Sequence, residues 1–304
     1  MKLEQLMEGV PFTLVQGSLD TEIADIIYDS RKAAPGLLFV CIVGTQRDSH
    51  AFAADCAAKG ISALVIQHDI DLSTLSGVTV VKVESSRYAM ALMSANLFGN
   101  PARQMTMIGV TGTKGKTTTT HMIKSVLEAA GRKVHLGGNI GAALLPMLPE
   151  VSPEDVAVVE LSSFQLISMR KSPKVAVVTN VTPNHLDHHK DMQEYIDAKR
   201  NILLYQKQPC RAVLGYENEI SRSMQKDCKG EQVWFTRLHD TDKGAFLRES
   251  DDTLCYAENG VVTPILPRAE VKLRGLHNVE NLLAAIAAVW GRVPVEAMRQ
   301  VGST

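Results

Sequence analysis

The stretch Met107-Ile108-Gly109-Val110-Thr111-Gly112-Thr113-Lys114-Gly115-Lys116-Thr117 decides the fold. An apolar run passes into a glycine-containing turn and then into a segment of helical spacing that continues to about Ala130 and stops at Gly131. Strand, glycine loop and helix in that order hold phosphate: glycines let backbone N–H groups converge on anionic oxygens, and the helix N-terminus adds partial positive charge. Gly112, Thr113, Lys114, Gly115, Lys116, Thr117 and Thr118 are therefore the candidate nucleotide-binding residues. Lys116 would reach the β and γ phosphates, and Thr117 would ligate Mg²⁺. The usual spacing places a glycine five positions before Gly115, where this chain has Val110. The loop is thus read from its context of strand and helix rather than from a pattern match.

Downstream, residues 156–159 form an uninterrupted apolar run ending at Glu160, and residues 175–178 form another ending at Thr179-Asn180. Such runs suit strands of a parallel sheet covered on both faces, where ligands gather at the carboxyl ends of the strands. A charge at the end of a buried run is costly unless it is paired or ligates a metal, so Glu160 beside a phosphate loop is the natural second Mg²⁺ ligand. The segment Asn180-Val181-Thr182-Pro183-Asn184-His185-Leu186-Asp187-His188-His189 is dense in possible ligands and admits three readings. These are a transition-metal cluster of His185, His188, His189 and Asp187, a set of histidines capping the next helix, and His185 alone at the site with the others facing solvent. No distant partner ligands support the first. Lys199 lies on the helix that follows, and no argument from composition selects it. Residues 246–274 read as β-rich with a turn at Asn259-Gly260, and residues 278–290 as an Ala/Leu-rich helix.

Upstream, residues 24–28, 37–42, 63–66 and 78–83 read as short buried strands, with helices over 50–59, ending at Gly60, and 87–98. Gly99-Asn100-Pro101 breaks the pattern. The expected architecture is α/β: a small α/β domain over 1–100, then a phosphate-loop domain over 101–304 with a mostly parallel sheet and an added β-rich segment.

The 304 residues are 45% hydrophobic and 21% charged, which excludes a disordered chain. A net charge of −1 gives no bulk positive field for nucleic acid or anionic lipid, so bound phosphate must be held by a local device. Five scattered cysteines without a close pair argue against a disulfide framework or a thiolate zinc site. The N-terminus lacks a basic leader, and no apolar run approaches the roughly 20 residues needed to span a bilayer. A cytoplasmic protein with neither nucleic-acid nor membrane partner is expected.

Taken together, the motifs resemble the Mur ligases, ATP-dependent amide-bond-forming enzymes of peptidoglycan precursor synthesis. Gly112 to Thr118 matches that family's shortened phosphate loop. The strings Gly137-Gly138-Asn139-Ile140-Gly141, Glu160-Leu161-Ser162-Ser163-Phe164-Gln165-Leu166, Asn180 to Asp187 and Gly275-Leu276-His277-Asn278-Val279-Glu280-Asn281 follow in the family's order. Several, notably Glu160 to Leu166, resemble the branch that adds D-glutamate to UDP-N-acetylmuramoyl-L-alanine. The resemblance implies ATP and two Mg²⁺ ions as cofactors. Lys116 would hold the γ-phosphate, Thr117 and Glu160 the first metal and His185 the second, while Lys199 matches a carbamylated lysine that supplies oxygen donors to Mg²⁺. Asn139, Ser162 and Gln165 match contacts to the UDP-muramyl-peptide substrate, and Asn278 and Asn281 lie where the family holds adenine. The implied reaction moves the γ-phosphoryl of ATP to the substrate carboxylate, and the amine of an amino acid then displaces phosphate.

The first domain departs from that branch. Asp29-Ser30-Arg31, Pro35-Gly36, Phe39 and Gly44-Thr45-Gln46-Arg47-Asp48-Ser49-His50-Ala51-Phe52 resemble the UDP-binding domain of the member that adds the third residue, with Ser30, Thr45 and Gln46 as candidate UDP contacts. Addition of that third residue and a non-catalytic nucleotide-binding module are the alternative functions. A metal phosphoesterase, suggested by Asp187-His188-His189, is the option from another class. The family has three domains and the motifs found here belong to the first two, so the expectation is substrate binding, weak ATP binding and little turnover by this chain alone.

Overall fold

The structure is a computed structural model that describes residues 1–44, 47–140, 150–183 and 189–304. The chain divides into two units, Met1–Pro101 and Ala102–Thr304.

In the first unit the order is α1 (Leu3–Leu6), β1 (Thr13–Gln16), β2 (Asp25–Ile27), β3 (Leu37–Val40), α2 (Ala53–Ala58), β4 (Ala63–Ile66), β5 (Thr79–Lys82) and α3 (Ser86–Leu97). Among the described residues these strands form one five-stranded sheet of order β1-β5-β4-β3-β2. β2 to β5 run parallel, and β1 pairs antiparallel with β5. Side chains alternate between faces along each strand. Leu38, Val40, Ala63, Val65 and Val81 pack with Leu3, Leu6 and Met93 on one face, while Phe39, Leu64, Ile66 and Val80 pack with Ala53 and Cys56 on the other. The helix expected over 50–59 instead begins as a tight 3-10 turn, Ser49–Phe52, and becomes α-helical only at Ala53. The cause is local: the Asp48 carboxylate accepts both the backbone N–H of His50 at 3.0 Å and its ring Nδ1 at 2.5 Å, which winds the first turn tightly.

In the second unit the order is β6 (Thr106–Thr111), α4 (Lys116–Ala129), β7 (Val134–Gly138), β8 (Val156–Glu160), α5 (Ser163–Leu166), β9 (Val175–Val178), α6 (Met192–Leu204), β10 (Arg211–Gly215), α7 (Glu219–Ser223), β11 (Glu231–Thr236), β12 (Gly244–Arg248), β13 (Thr253–Glu258), β14 (Val261–Pro267), α8 (Leu276–Val289) and α9 (Val295–Gly302). Among the described residues a nine-stranded sheet has the order β14-β13-β12-β11-β10-β9-β6-β8-β7. It is parallel from β7 to β12, and β13 and β14 extend it antiparallel. The β13–β14 hairpin turns at Asn259 and Gly260, with φ of 52° and 77°. Positive φ at both central residues matches the twist of the flanking strands.

The alternation that buries both faces is explicit. Ile108, Val110, Val156, Val158, Val175, Val177 and Val213 pack with α4 and α8, whereas Ala157, Val159, Ala176, Val178, Ala212 and Leu214 pack with Tyr195, Ile202 and Leu203 of α6. β8 and β9 flank β6 on opposite sides, so the crevice between neighbouring connections opens at the carboxyl end of β6, where the phosphate loop begins.

Candidate functional site

The loop between β6 and α4 is held open by two glycines that no other residue replaces without strain. Gly112 has φ +149° and lies so close to Thr179 that a Cβ would overlap its Oγ1. Gly115, the N-cap of α4 with φ +82°, would drive a Cβ into Asn281 Oδ1. Both take conformations that side chains disfavour. The loop is moored to the segment after β9. The backbone N–H of Thr113 donates to Asn180 O at 2.7 Å, that of Lys114 donates to Asn180 Oδ1 at 3.0 Å, and Thr179 Oγ1 donates to Lys114 O at 2.7 Å. Thr118 sits in the first turn of α4, beside Thr117.

At the mouth of the loop, Thr117 Oγ1 donates to Glu160 Oε2 at 2.7 Å, and Asn139 Nδ2 donates to Glu160 Oε1 at 3.1 Å. Val110 pairs with Glu160 across β6 and β8, and Gly138 pairs with it from β7, so the sheet register itself delivers the carboxylate to the loop. Glu160 is 2% exposed. A hydroxyl and a buried carboxylate in contact form a hard oxygen donor set that fits Mg²⁺. Lys116 Nζ donates to Thr113 O at 3.1 Å, and burial pushes its pKa down against the opposing pull of Glu160.

Lys199 is not a solvated helix lysine: it is 1% exposed. Its Nζ donates to Gly112 O at 2.9 Å and to Thr111 Oγ1 at 3.4 Å, and lies 4.6 Å from the centre of the Tyr195 ring. Burial first, and the Lys116 charge second, bring its pKa down to about 7. An amine so placed is uncharged in part at neutral pH, and that form can add CO₂, which fits carbamylation. Tyr195 is a residue that the sequence did not single out. Its hydroxyl shares a 3.1 Å hydrogen bond with Thr113 Oγ1, 82 residues away in the sequence, with no periodic signal to betray it.

The remaining expected site residues are distributed as follows. Asn278 and Asn281 stand at the start of α8: Asn281 Nδ2 donates to Asn278 Oδ1 at 3.2 Å, and Thr119 Oγ1 of α4 donates to Asn281 Oδ1 at 3.3 Å. They therefore share the loop's helix end. Ser162 and Gln165 cap each other at α5, the Gln165 carbonyl accepting from Ser162 N and Oγ at 2.9 and 3.0 Å. Thr45, Gln46 and His185, with Asn184, Asp187 and His188, lie outside the described residues. Of the histidine run, His189 is described, and of the three readings of that run the one that turns it to solvent does not hold. It is 4% exposed, and its Nε2 is 2.9 Å from Ser163 Oγ. In the first unit Ser30 opens a 3-10 turn, Ser30–Lys32, capped by Asp29, whose carboxylate binds the Arg31 backbone and guanidinium and is held at a pKa of about 2. No helix among the described residues is long and apolar enough to cross a membrane.

Residues 110–289, more than half the chain, match the Mur ligase middle domain. The chain belongs to the Mur ligase family. Similar Mur ligases include the UDP-N-acetylmuramoylalanine–D-glutamate ligase of Acetivibrio thermocellus, 48% identical over 198 residues that make up 65% of this chain and 42% of that protein. The enzyme of the same name from Clostridium kluyveri is 46% identical over 196 residues, 64% of this chain and 42% of its own length. The chain thus spans less than half the length of these curated relatives. Among solved Mur ligases, MurF from Acinetobacter baumannii superposes with a TM-score of 0.70 at 22% identity, covering 100% of this chain and 68% of that one. A UDP-N-acetylmuramoyl-L-alanyl-D-glutamate–2,6-diaminopimelate ligase superposes with a TM-score of 0.78 at 18% identity, covering 100% and 66%. At such identities these two likenesses establish the Mur ligase fold, an α/β architecture with mostly parallel sheets.

Proposed function

We propose that this chain carries the substrate-holding and nucleotide-holding units of an ATP-dependent ligase that joins D-glutamate to UDP-N-acetylmuramoyl-L-alanine. The observation that carries the reading is the contact of Thr117 with Glu160 at the mouth of a phosphate loop whose floor is Lys199. The identities with D-glutamate ligases support the choice of amino acid. In this reading residues 1–100 bind the UDP moiety through Ser30, Thr45 and Gln46, and residues 101–304 bind ATP.

The loop N–H groups and Lys116 hold the β and γ phosphates, and the Asn278–Asn281 pair meets the adenine. Thr117, Glu160, His185 and a carbamate on Lys199 would hold two Mg²⁺ ions, which supply neutralisation of phosphoryl charge when bound. Asn139, Ser162 and Gln165 orient the muramyl-peptide so that its terminal carboxylate oxygen bonds to the γ-phosphorus as the bond to ADP breaks. The amine of D-glutamate then bonds to the carbonyl carbon, phosphate leaves, and the nitrogen loses a proton. Charge spreads over phosphoryl oxygens in the first step, where Lys116 acts by position and field.

The test supplies Mg-ATP with UDP-N-acetylmuramoyl-L-alanine and D-glutamate, or with the D-glutamyl product and either lysine or diaminopimelate, and follows phosphate release. Release with the first pair, abolished by Lys116→Ala, is expected when the chain is joined to the family's third domain, with little release by the chain alone. Product from the second set alone assigns the third-residue reaction, which the motifs of the first unit favour. ATP binding without turnover on any set, with the chain joined to the family's third domain as well as alone, assigns a nucleotide-binding module. Mn²⁺-dependent hydrolysis indifferent to Lys116→Ala assigns a phosphoesterase.

A further inference from the structure

We infer that His189 is a positioning residue that fixes the orientation of α5, and through it Ser162 and Gln165, against the helix that backs the phosphate loop. The inference rests on the reading of those two residues as contacts to the acceptor substrate.

Ser163 and His189 are each 4% exposed, and Ser163 Oγ lies 2.9 Å from His189 Nε2. The imidazole is stacked on Phe164, with ring centres 5.0 Å apart and planes 5° from parallel, and meets Tyr195 edge-on at 5.3 Å. Its Nδ1 has no hydrogen-bond partner among the described residues, and Glu194 Oε2 stands 3.4 Å away. A proton on Nδ1 facing that carboxylate leaves Nε2 as acceptor, so the Ser163 hydroxyl donates to it. Serine, histidine and glutamate in this sequence of contacts also describe an activated nucleophile. Burial of the hydroxyl within the first turn of α5 argues against that role, because no acyl group reaches it.

What the contact does is geometric. α5 is only four residues long, too short to hold its own direction, and its outer side carries half-buried Ser162 and exposed Gln165. Leu161, just before its cap, is pinned to β6 through Val110 O and Thr111 Oγ1, Leu166 is buried in the core, and among the described residues side chains add ties at both ends: Asn201 Nδ2 of α6 donates to Leu166 O at 2.9 Å and to Ile167 O at 3.3 Å, and His189 meets Ser163 in the first turn. His189 in turn abuts Tyr195, whose hydroxyl meets Thr113 of the phosphate loop. The loop keeps its own moorings to Asn180 and Lys199, so release of the Ser163 end turns α5 while leaving the loop in place.

Calorimetric titration of the full chain with UDP-N-acetylmuramoyl-L-alanine and, separately, with a non-hydrolysable ATP analogue tests this. His189→Ala and Ser163→Ala are each expected to weaken muramyl-peptide binding about tenfold, the value of one buried hydrogen bond, with nucleotide binding changed less than about twofold. The double variant should lose no more than either single one. His189→Gln, whose amide still reaches Ser163, should return affinity to within about threefold of the parent. Equal weakening of both ligands, additive losses, or unchanged muramyl-peptide affinity overturns the positioning role. A parent chain that binds the nucleotide but not the muramyl-peptide overturns the substrate assignment instead, and the inference with it.

Discussion

Lys199 shows how far one side chain departs from what its sequence neighbourhood announces. Its ammonium would be buried with no carboxylate in ion-pair contact among the described residues, and the molecule responds by lowering the pKa to about 7 from an ordinary 10.5. Between those two values the unfolded chain holds a proton that the folded chain has released. Stability therefore rises with pH across that window and is flat below about 7. Lys199→Met removes the titration. In CO₂-free buffer the difference in Tm, variant minus parent, is expected to be more positive at pH 7 than at pH 10. Equal differences at the two pH values would show that Lys199 titrates as a free lysine. The same comparison marks what a sequence tells at this scale. Lys116 and Thr117 were legible because a phosphate loop is local, built from residues a few positions apart. Lys199 was found through resemblance alone, since its burial depends on Gly112 and Tyr195 brought together by the sheet, and the burial of His189 against Ser163 was not foreseen at all.

Elements were legible in proportion to how much of their own signal they carry. β8 and β9 are buried throughout, so their apolar runs stood out, and α8 ends in the unbroken apolar run 282–289. β10 and β11 were not identified, because their apolar cores are only three residues long, 212–214 after Arg211 and 233–235 after Glu231-Gln232, and they become strands only by pairing with β9 and with each other. α1 is four residues long, below any periodic signal, and is fixed by the packing of Leu3 and Leu6. The all-round burial of α8 carries a quantitative consequence. From Leu282 to Val289 every residue is enclosed, against α4 on one side and the sheet on the other. Such a helix has no face on which a void can drain to solvent. Leu283→Ala is expected to cost about 2–5 kcal/mol in urea unfolding, the range for a leucine removed from a closed core. A loss under about 1 kcal/mol would mean that α8 is not enclosed in solution.

At the scale of the molecule, each unit has hydrophobic clusters of its own, on both faces of its own sheet. In the sequence Gly99-Asn100-Pro101 interrupts two periodic regions, and the structure divides into two units after Pro101. Separate cores predict separate unfolding, and the chain contains its own reporter. Both tryptophans, Trp234 in β11 and Trp290 after α8, belong to the second unit, so indole fluorescence follows that unit while far-UV circular dichroism follows both. Leu38 is fully buried in β3 of the first unit. Leu38→Ala should therefore destabilise the first sheet by about 2–5 kcal/mol and bring forward one part of the dichroism transition. The fluorescence midpoint should stay within error of the parent, because the indoles report a core that the substitution does not touch. A fluorescence midpoint that moves together with the dichroism would show one cooperative transition and overturn the independence of the two cores.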